Sequence, residues 1–145
     1  MDYYIKELFD YAEKHTVLSA FKDEILLLNP DYDEWILKLS EKASIMIAYN
    51  NNDVCGLLAY YIASEYIYIT LLVISPKYRS MGIASSLMRQ VIEVSSNDRK
   101  PIRLEVATTN HTAIALYLKH GFSRLGDARI GSHYYERIYF REDPT

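Results

Sequence analysis

The chain has 145 residues, 50% hydrophobic and 24% charged, the composition of one folded domain. Aromatic residues make up 13%, fourteen of them tyrosines, which excludes a disordered chain, and the one cysteine, Cys55, excludes an internal disulfide or a cysteine-built zinc site. The net charge of −3 divides into −7 over residues 1–70 and +4 over residues 71–145, with no basic block of the kind that binds nucleic acid.

The opening residues, Met1 to Glu7, lack the basic end and apolar run of a signal peptide. Tyr66–Ile74, the longest strongly apolar stretch, is far shorter than the roughly 18 residues of a membrane span. These features predict a cytoplasmic protein with no membrane partner. The charge division suits a cationic ligand on the acidic half and an anionic one on the basic half, or two differently solvated surfaces.

Residues 4–14 carry Ile5, Leu8, Phe9 and Ala12 at helical spacing and predict a helix. Val17–Leu28 is less regular and reads as partly helical. After Pro30, Asp31 has the pattern of an N-cap with Glu34 three residues on, opening a helix with Tyr32, Trp35, Ile36 and Leu39 as its apolar stripe. The period then shortens. Ser44–Tyr49, Val54–Ala63 and Tyr66–Ile74 predict an antiparallel meander, with a turn at Asn50–Asp53. In its last strand Tyr66, Tyr68, Thr70 and Leu72 share one face, and Ile67, Ile69, Leu71 and Val73 the other. A helix over Ala84–Val94 turns Leu87, Met88, Val91 and Ile92 inward. A strand follows at Ile102–Ala107, then a helix at His111–His120 that ends on Gly121 with Phe122 as the apolar residue after it. Ser123–Arg129 and Tyr134–Phe140 are the final strands, with Gly131 in their turn. The order α-α-β-β-β-α-β-α-β-β predicts an α/β (α+β) fold, a mixed sheet flanked by helices.

Two segments carry chemistry. Ser75–Ala84 joins an apolar strand to an amphipathic helix, where unpaired N–H groups and the helix dipole attract anions. Gly82 and Ala84 leave the backbone uncovered and Arg79 adds charge, although a Gly-x-Ala by itself is more often a plain turn. The Walker and dinucleotide glycine spacings are missing. The second segment runs from Leu104-Glu105-Val106 through Asn110 to Tyr117 and Gly121-Phe122. Taken singly, Asn110 is a helix cap, Tyr117 a core residue, and Glu105 a cross-strand pair or solvated carboxylate. His15, His111, His120 and His133 form no metal-ligand spacing. His120, in a last helical turn, suits a cation there, and Cys55 in its strand reads as an inert thiol. The pairs Tyr60-Tyr61 and Tyr134-Tyr135 fall on strands and face both sides.

Together the segments resemble one family. Arg79-Ser80-Met81-Gly82-Ile83-Ala84 is similar to the Arg/Gln-x-x-Gly-x-Gly/Ala pyrophosphate loop of the GCN5-related N-acetyltransferases (GNAT), and Asn110, Tyr117 and Gly121-Phe122 resemble that family's second half-site. The resemblance covers about residues 44–140. It implies a single domain over 1–145, with a helical acceptor-side region at 1–43 and an acetyl-CoA-binding core at 44–140 whose sheet splays at the fourth strand. Main chain from Met81 through Gly82, Ile83 and Ala84 to Ser85 would hold the pyrophosphate, with Arg79 and Ser80 beside it. Main chain at Leu72, Val73 and Ile74 would hold the pantetheine and the thioester carbonyl. Asn110 would contact the cofactor or cap its helix.

The implied reaction is direct transfer of acetyl to a primary amine in a ternary complex. The N–H of Val73 would face the carbonyl oxygen, where charge builds. Tyr117 would protonate the leaving thiolate, and Glu105, as in ribosomal-protein N-terminal acetyltransferases, would act as base through water. Tyr68 cannot be a base at neutral pH but could orient water or acceptor, and Glu65 is a weaker base candidate. A small-molecule amine ranks before a peptide amine as acceptor. The alternatives are a protein N-terminal acetyltransferase, a non-catalytic acyl-CoA sensor, and transfer of a larger acyl group. Homodimers through sheet edges are common in the family. The family usually opens with a strand, which the helical reading of residues 4–14 leaves missing or displaced into Val17–Leu28.

Overall fold

The computed structural model describes residues 2–139. The fold is α/β, and its strands join in one mixed seven-stranded sheet in the order β1-β2-β3-β4-β5-β7-β6. In chain order the elements are β1 (Tyr4–Leu8), α1 (Tyr11–Ala20), α2 (Lys22–Leu26), α3 (Tyr32–Lys42), β2 (Ser44–Asn50), β3 (Asp53–Ile62), β4 (Ile67–Ile74), α4 (Ile83–Asp98), β5 (Ile102–Ala107), α5 (His111–Lys119), β6 (Ser123–Asp127) and β7 (Ser132–Arg137). A single 3-10 turn, Pro76–Tyr78, precedes α4. The chain forms two compact units, one from residues up to Tyr61 with Leu71–Leu87, the other from Ile62–Thr70 with residues from Met88 onward.

The first unit corrects the reading of residues 4–14 as a helix. Tyr4–Leu8 is a strand, paired antiparallel with β2 from Tyr4↔Tyr49 to Leu8↔Ile45. Its burial alternates from Tyr4 to Glu7, with Tyr4 and Lys6 exposed and Ile5 and Glu7 half-buried, before Leu8 is buried, while Phe9, a member of the apparent helical stripe, is exposed. The strand holds only Ile5 and Leu8 of that stripe, too few to set a period, and the open edge of β2 supplies the ladder partners that settle it. The helix starts later, where Asp10 accepts a hydrogen bond from the Glu13 N–H at 3.1 Å. So the chain does open with a strand, as the resemblance requires, and the first strand is not displaced into Val17–Leu28, which holds the end of α1 and all of α2.

Asp31 occupies the N-cap position of α3 but makes no side-chain cap bond, its ψ of 48° being far from the extended value a capping side chain needs. Asn29 Oδ1 accepts the Asp31 N–H at 2.9 Å instead. The stripe of α3 holds: Tyr32, Ile36 and Leu39 are buried in one core with Leu18, Ile25, Ile45 and Leu57, and Trp35 packs against it.

The second unit is built on three strands. β4 pairs in parallel with β5 from Ile67↔Ile102 to Ile69↔Leu104, and β5 pairs antiparallel with β7 from Ile102↔Arg137 to Ala107↔Ser132. One face of these strands is buried through Ile67, Ile69, Ile102, Leu104 and Val106. The other is half-exposed and polar, with Tyr66, Tyr68, Arg103, Glu105, Ser132, Tyr134 and Glu136. β7 stops at Arg137; of the strand read over Tyr134–Phe140, Phe140 lies outside the described residues. α4 buries Leu87, Met88 and Val91 as its period requires, and runs on to Asp98 before Arg99 takes a left-handed φ of 53°.

The end of α5 follows directly from Gly121-Phe122. Gly121 has φ 89°; its N–H donates to Leu118 O at 3.1 Å and the Phe122 N–H to Tyr117 O at 3.0 Å, the two bonds of a Schellman motif. The accompanying apolar contact is the Tyr117 ring against that of Phe122, centroids 5.6 Å apart. Gly121→Ala is expected to cost about 1–2 kcal/mol through the left-handed strain alone, read as a lower urea midpoint at unchanged slope; an unshifted midpoint would show that the motif is not under that constraint.

Candidate functional site

In the first unit, the segment after β4 is held from below. The Ser75 N–H donates to Cys55 O at 2.8 Å, and the 3-10 turn is braced by Asp53, whose Oδ2 accepts from Tyr78 Oη at 2.6 Å and pairs with Lys77 Nζ at 2.8 Å. The Lys77 ammonium and then the Tyr78 hydroxyl hold the Asp53 carboxyl below its usual range. Ser80 and Gly82 both take left-handed φ, 63° and 78°. The first bond of α4 is Ser86 N–H to Gly82 O at 3.1 Å, so the N–H groups ahead of Ser86 lie before the helical ladder and at the positive end of its dipole. A Cβ placed on Gly82 would meet nothing within 4 Å, so positive φ and not crowding calls for glycine, and the backbone there faces open space. Arg79 is exposed beside it and donates from Nε to Ile74 O at 3.4 Å. Ile83 and Ser85 turn their side chains into the interior, so only their main chain can serve a ligand. Backbone donors, a helix N-terminus, open space and a guanidinium together fit a phosphate-sized anion.

Leu72 and Ile74 are half-buried and Val73 is buried. Gly56 on β3 allows their close approach: a Cβ there would stand 3.0 Å from Val73 O and 2.6 Å from Ile74 Cδ1. Gly56 and Asp53 escaped the sequence reading. An in-strand glycine is itself a signal of close backbone approach, whereas Asp53 looked like turn composition. Cys55, between them, is a buried thiol whose pKa burial pushes up.

In the second unit, Glu105 sits half-buried between buried Leu104 and Val106. Its Oε2 accepts hydrogen bonds from Ser132 Oγ at 2.6 Å and Arg129 Nε at 2.8 Å. Burial pushes the carboxyl up, but Ser132 and Arg129 outweigh it, and the net displacement is downward. Neither partner was foreseen; both lie more than twenty residues on, brought in by the β6–β7 turn. Tyr134 stands directly across from Glu105 on β7. The Tyr68 hydroxyl is pushed up, by burial first and then by Glu105 and Tyr134, so it remains a phenol, as its chemistry led one to expect. Glu65 is an exposed residue of the β3–β4 connection.

Asn110 caps α5, its Oδ1 accepting the Ala113 N–H at 3.2 Å. Tyr117 is buried at the last turn of α5, and desolvation pushes its pKa up to about 12. His120 takes the C-cap position, yet burial and then Lys119, Arg89 and Arg137 lower its pKa, so the cation expected there is disfavoured. Among the described residues no helix is long and apolar enough to cross a membrane, and no group of three His, Cys, Asp or Glu could hold a metal ion.

A model of the acetyltransferase (GNAT) family matches residues 5–122. A Bacillus subtilis (strain 168) protein named provisionally as a ribosomal protein bS18-alanine N-acetyltransferase is 29% identical over 94 residues, 64% of this chain and 60% of that protein. The match therefore spans less than two thirds of that relative's length. Among solved structures, the PaiA N-acetyltransferase of Thermoplasma acidophilum, in complex with coenzyme A, superposes with a TM-score of 0.79 at 16% identity, over 96% of this chain and 100% of that one. The ribosomal-protein-S18-alanine N-acetyltransferase of Escherichia coli does so with a TM-score of 0.74 at 15% identity, over 95% and 94%.

Proposed function

Because this chain belongs to the acetyltransferase (GNAT) family, we propose that it moves an acetyl group from acetyl-CoA to a primary amine by direct transfer in a ternary complex. The observation that carries the reading is the anion-suited segment ahead of α4, with left-handed Ser80 and Gly82, open space at Gly82 and exposed Arg79. Main chain over Met81–Ser85 binds the pyrophosphate. Main chain at Leu72–Ile74 aligns the thioester, with the Val73 N–H directed at the carbonyl oxygen as it gains charge. Glu105 takes the proton of the attacking amine through water. The amine nitrogen bonds to the acetyl carbon, the carbon–sulfur bond breaks, and the Tyr117 hydroxyl donates to the departing sulfur. Asn110 serves by capping α5 (3.2 Å to the Ala113 N–H), which fixes the helix that carries Tyr117.

A small-molecule amine is the preferred acceptor, since the net charge of −7 over residues 1–70 suits a cation and makes no demand for a peptide. A protein N-terminus is the second reading, favoured by the Bacillus relative. Incubation with acetyl-CoA and a pooled panel of polyamines, amino sugars, amino acids and short peptides, read by mass spectrometry, tests both. An amine product heavier by one acetyl group, with equimolar CoA, is expected, and its identity names the acceptor class. Intact acetyl-CoA across the whole panel would leave an acceptor outside these classes or the non-catalytic acyl-CoA sensor.

A further inference from the structure

The polar face of β4, β5 and β7 carries two ion pairs built on opposite plans. Arg103 and Glu136 are direct cross-strand partners, joined at 2.7 Å, and the Tyr66 ring lies 4.9 Å from the Arg103 guanidinium. Both ends of that pair are fixed by the sheet. The Glu105–Arg129 pair differs. Its carboxylate is held in the sheet, with 15% of the side chain exposed, but its guanidinium reaches in from the β6–β7 turn with 83% of the side chain exposed. That turn ends on Gly131 at φ 84°, and Ile130 at its tip is wholly exposed. A carboxylate so withdrawn from water needs a cation beside it. An exposed arginine fills that need only at the cost of ordering a long side chain. Tyr134, directly across from Glu105 on β7, and Tyr68, on the same face of β4, add aromatic surface of a kind that favours a cation.

We propose that Arg129 is a displaceable stand-in for the acceptor: an ammonium of the incoming amine takes its place facing Glu105 Oε2 across the bridging water, between Tyr68 and Tyr134, and the β6–β7 turn swings away. This rests on the reading of the chain as an amine acetyltransferase and deepens it. It makes Arg129 a specificity-determining residue, one that admits a cation able to outcompete a guanidinium and rejects neutral or anionic amines. Ser132 holds the carboxylate in place during the exchange, its hydroxyl bonding the same oxygen.

The test needs no acetyl donor, so an absence of acetyl transfer cannot be mistaken for its failure. The protein, labelled with 15N and 13C, is titrated with n-butylammonium chloride and separately with a hexapeptide bearing a free N-terminal alanine. NMR follows the Arg129 Nε–H and Glu105 Cδ signals. Displacement by either probe is expected to move both signals together, and the probe that does so at lower concentration identifies the acceptor as small amine or peptide. With its competitor removed, Arg129→Gln is expected to bind that probe about 3–10-fold more tightly. Arg129→Lys, which restores a competing cation, is expected to return affinity towards the wild-type value, and Glu105→Gln to abolish it. The proposal is overturned if neither probe moves the two signals, or if Arg129→Gln binds no better than the wild type.

Discussion

Tyr117→Phe is expected to lower turnover about 100-fold while acetyl-CoA binds as before, a loss comparable to removing one donor from an oxyanion site. The variant deletes one oxygen from a buried ring and keeps the ring's packing on Phe122, so its thermal midpoint should stay within a few degrees of the wild type's. The mechanism is narrower than free amino-acid chemistry suggests. With the phenol pushed up to about 12 and a free thiol near 8.5, complete proton transfer to the thiolate is uphill by about 5 kcal/mol. In the proposed reaction Tyr117 would therefore act as a neutral hydrogen-bond donor to sulfur as charge gathers there, with solvent completing the protonation. Its high pKa keeps the hydroxyl protonated, so the rate should show no basic limb from this group below about pH 11. Single-turnover rates and coenzyme affinity measured side by side decide the matter; equal rates in variant and wild type would remove Tyr117 from the reaction.

Glu105→Gln should also reduce turnover by about 100-fold, because an amide cannot accept the amine's proton. The carboxyl is already displaced below its ordinary value near 4.5, so it stays ionised across the working range. Loss of rate between about pH 8 and pH 6 therefore follows protonation of the acceptor amine, and that limb should persist in the variant. Stability gives an independent check. A carboxyl whose folded pKa is depressed contributes stability above its unfolded pKa and loses it as pH falls through the folded one. The gap in thermal midpoint between wild type and Glu105→Gln should be full at pH 7 and close below about pH 4. A gap that widens on acidification would mean that the pairing with Arg129 and Ser132 does not lower this carboxyl.

The parts of the chain that declared themselves in sequence are those decided by local chemistry. The alternation in β4 returned as alternate burial from Ile67 to Ile74, and Gly121-Phe122 marked the end of α5 because only a left-handed residue closes that helix. The strand at Tyr4–Leu8 stayed hidden because five residues fit either period and the deciding partner, β2, lies forty residues away. Asp10 and Glu13 did carry the true start of α1, overridden by an apolar stripe that included exposed Phe9. Within the candidate site, Gly82 and Asn110 could be read from their neighbours. The partners of Glu105 could not, since the register of β5 on β7 and the reach of the following turn decide which side chains meet it.

Cys55 has a practical consequence. It is the protein's only thiol, and it is buried and reluctant to ionise. A chromogenic disulfide added to the native protein should therefore report coenzyme released by turnover against a nearly flat background. The same reagent would find its one protein target only as the fold opens, so a slow second phase of colour in ageing or heated samples would count unfolded molecules. One cuvette would then follow both how fast the enzyme works and how long it lasts.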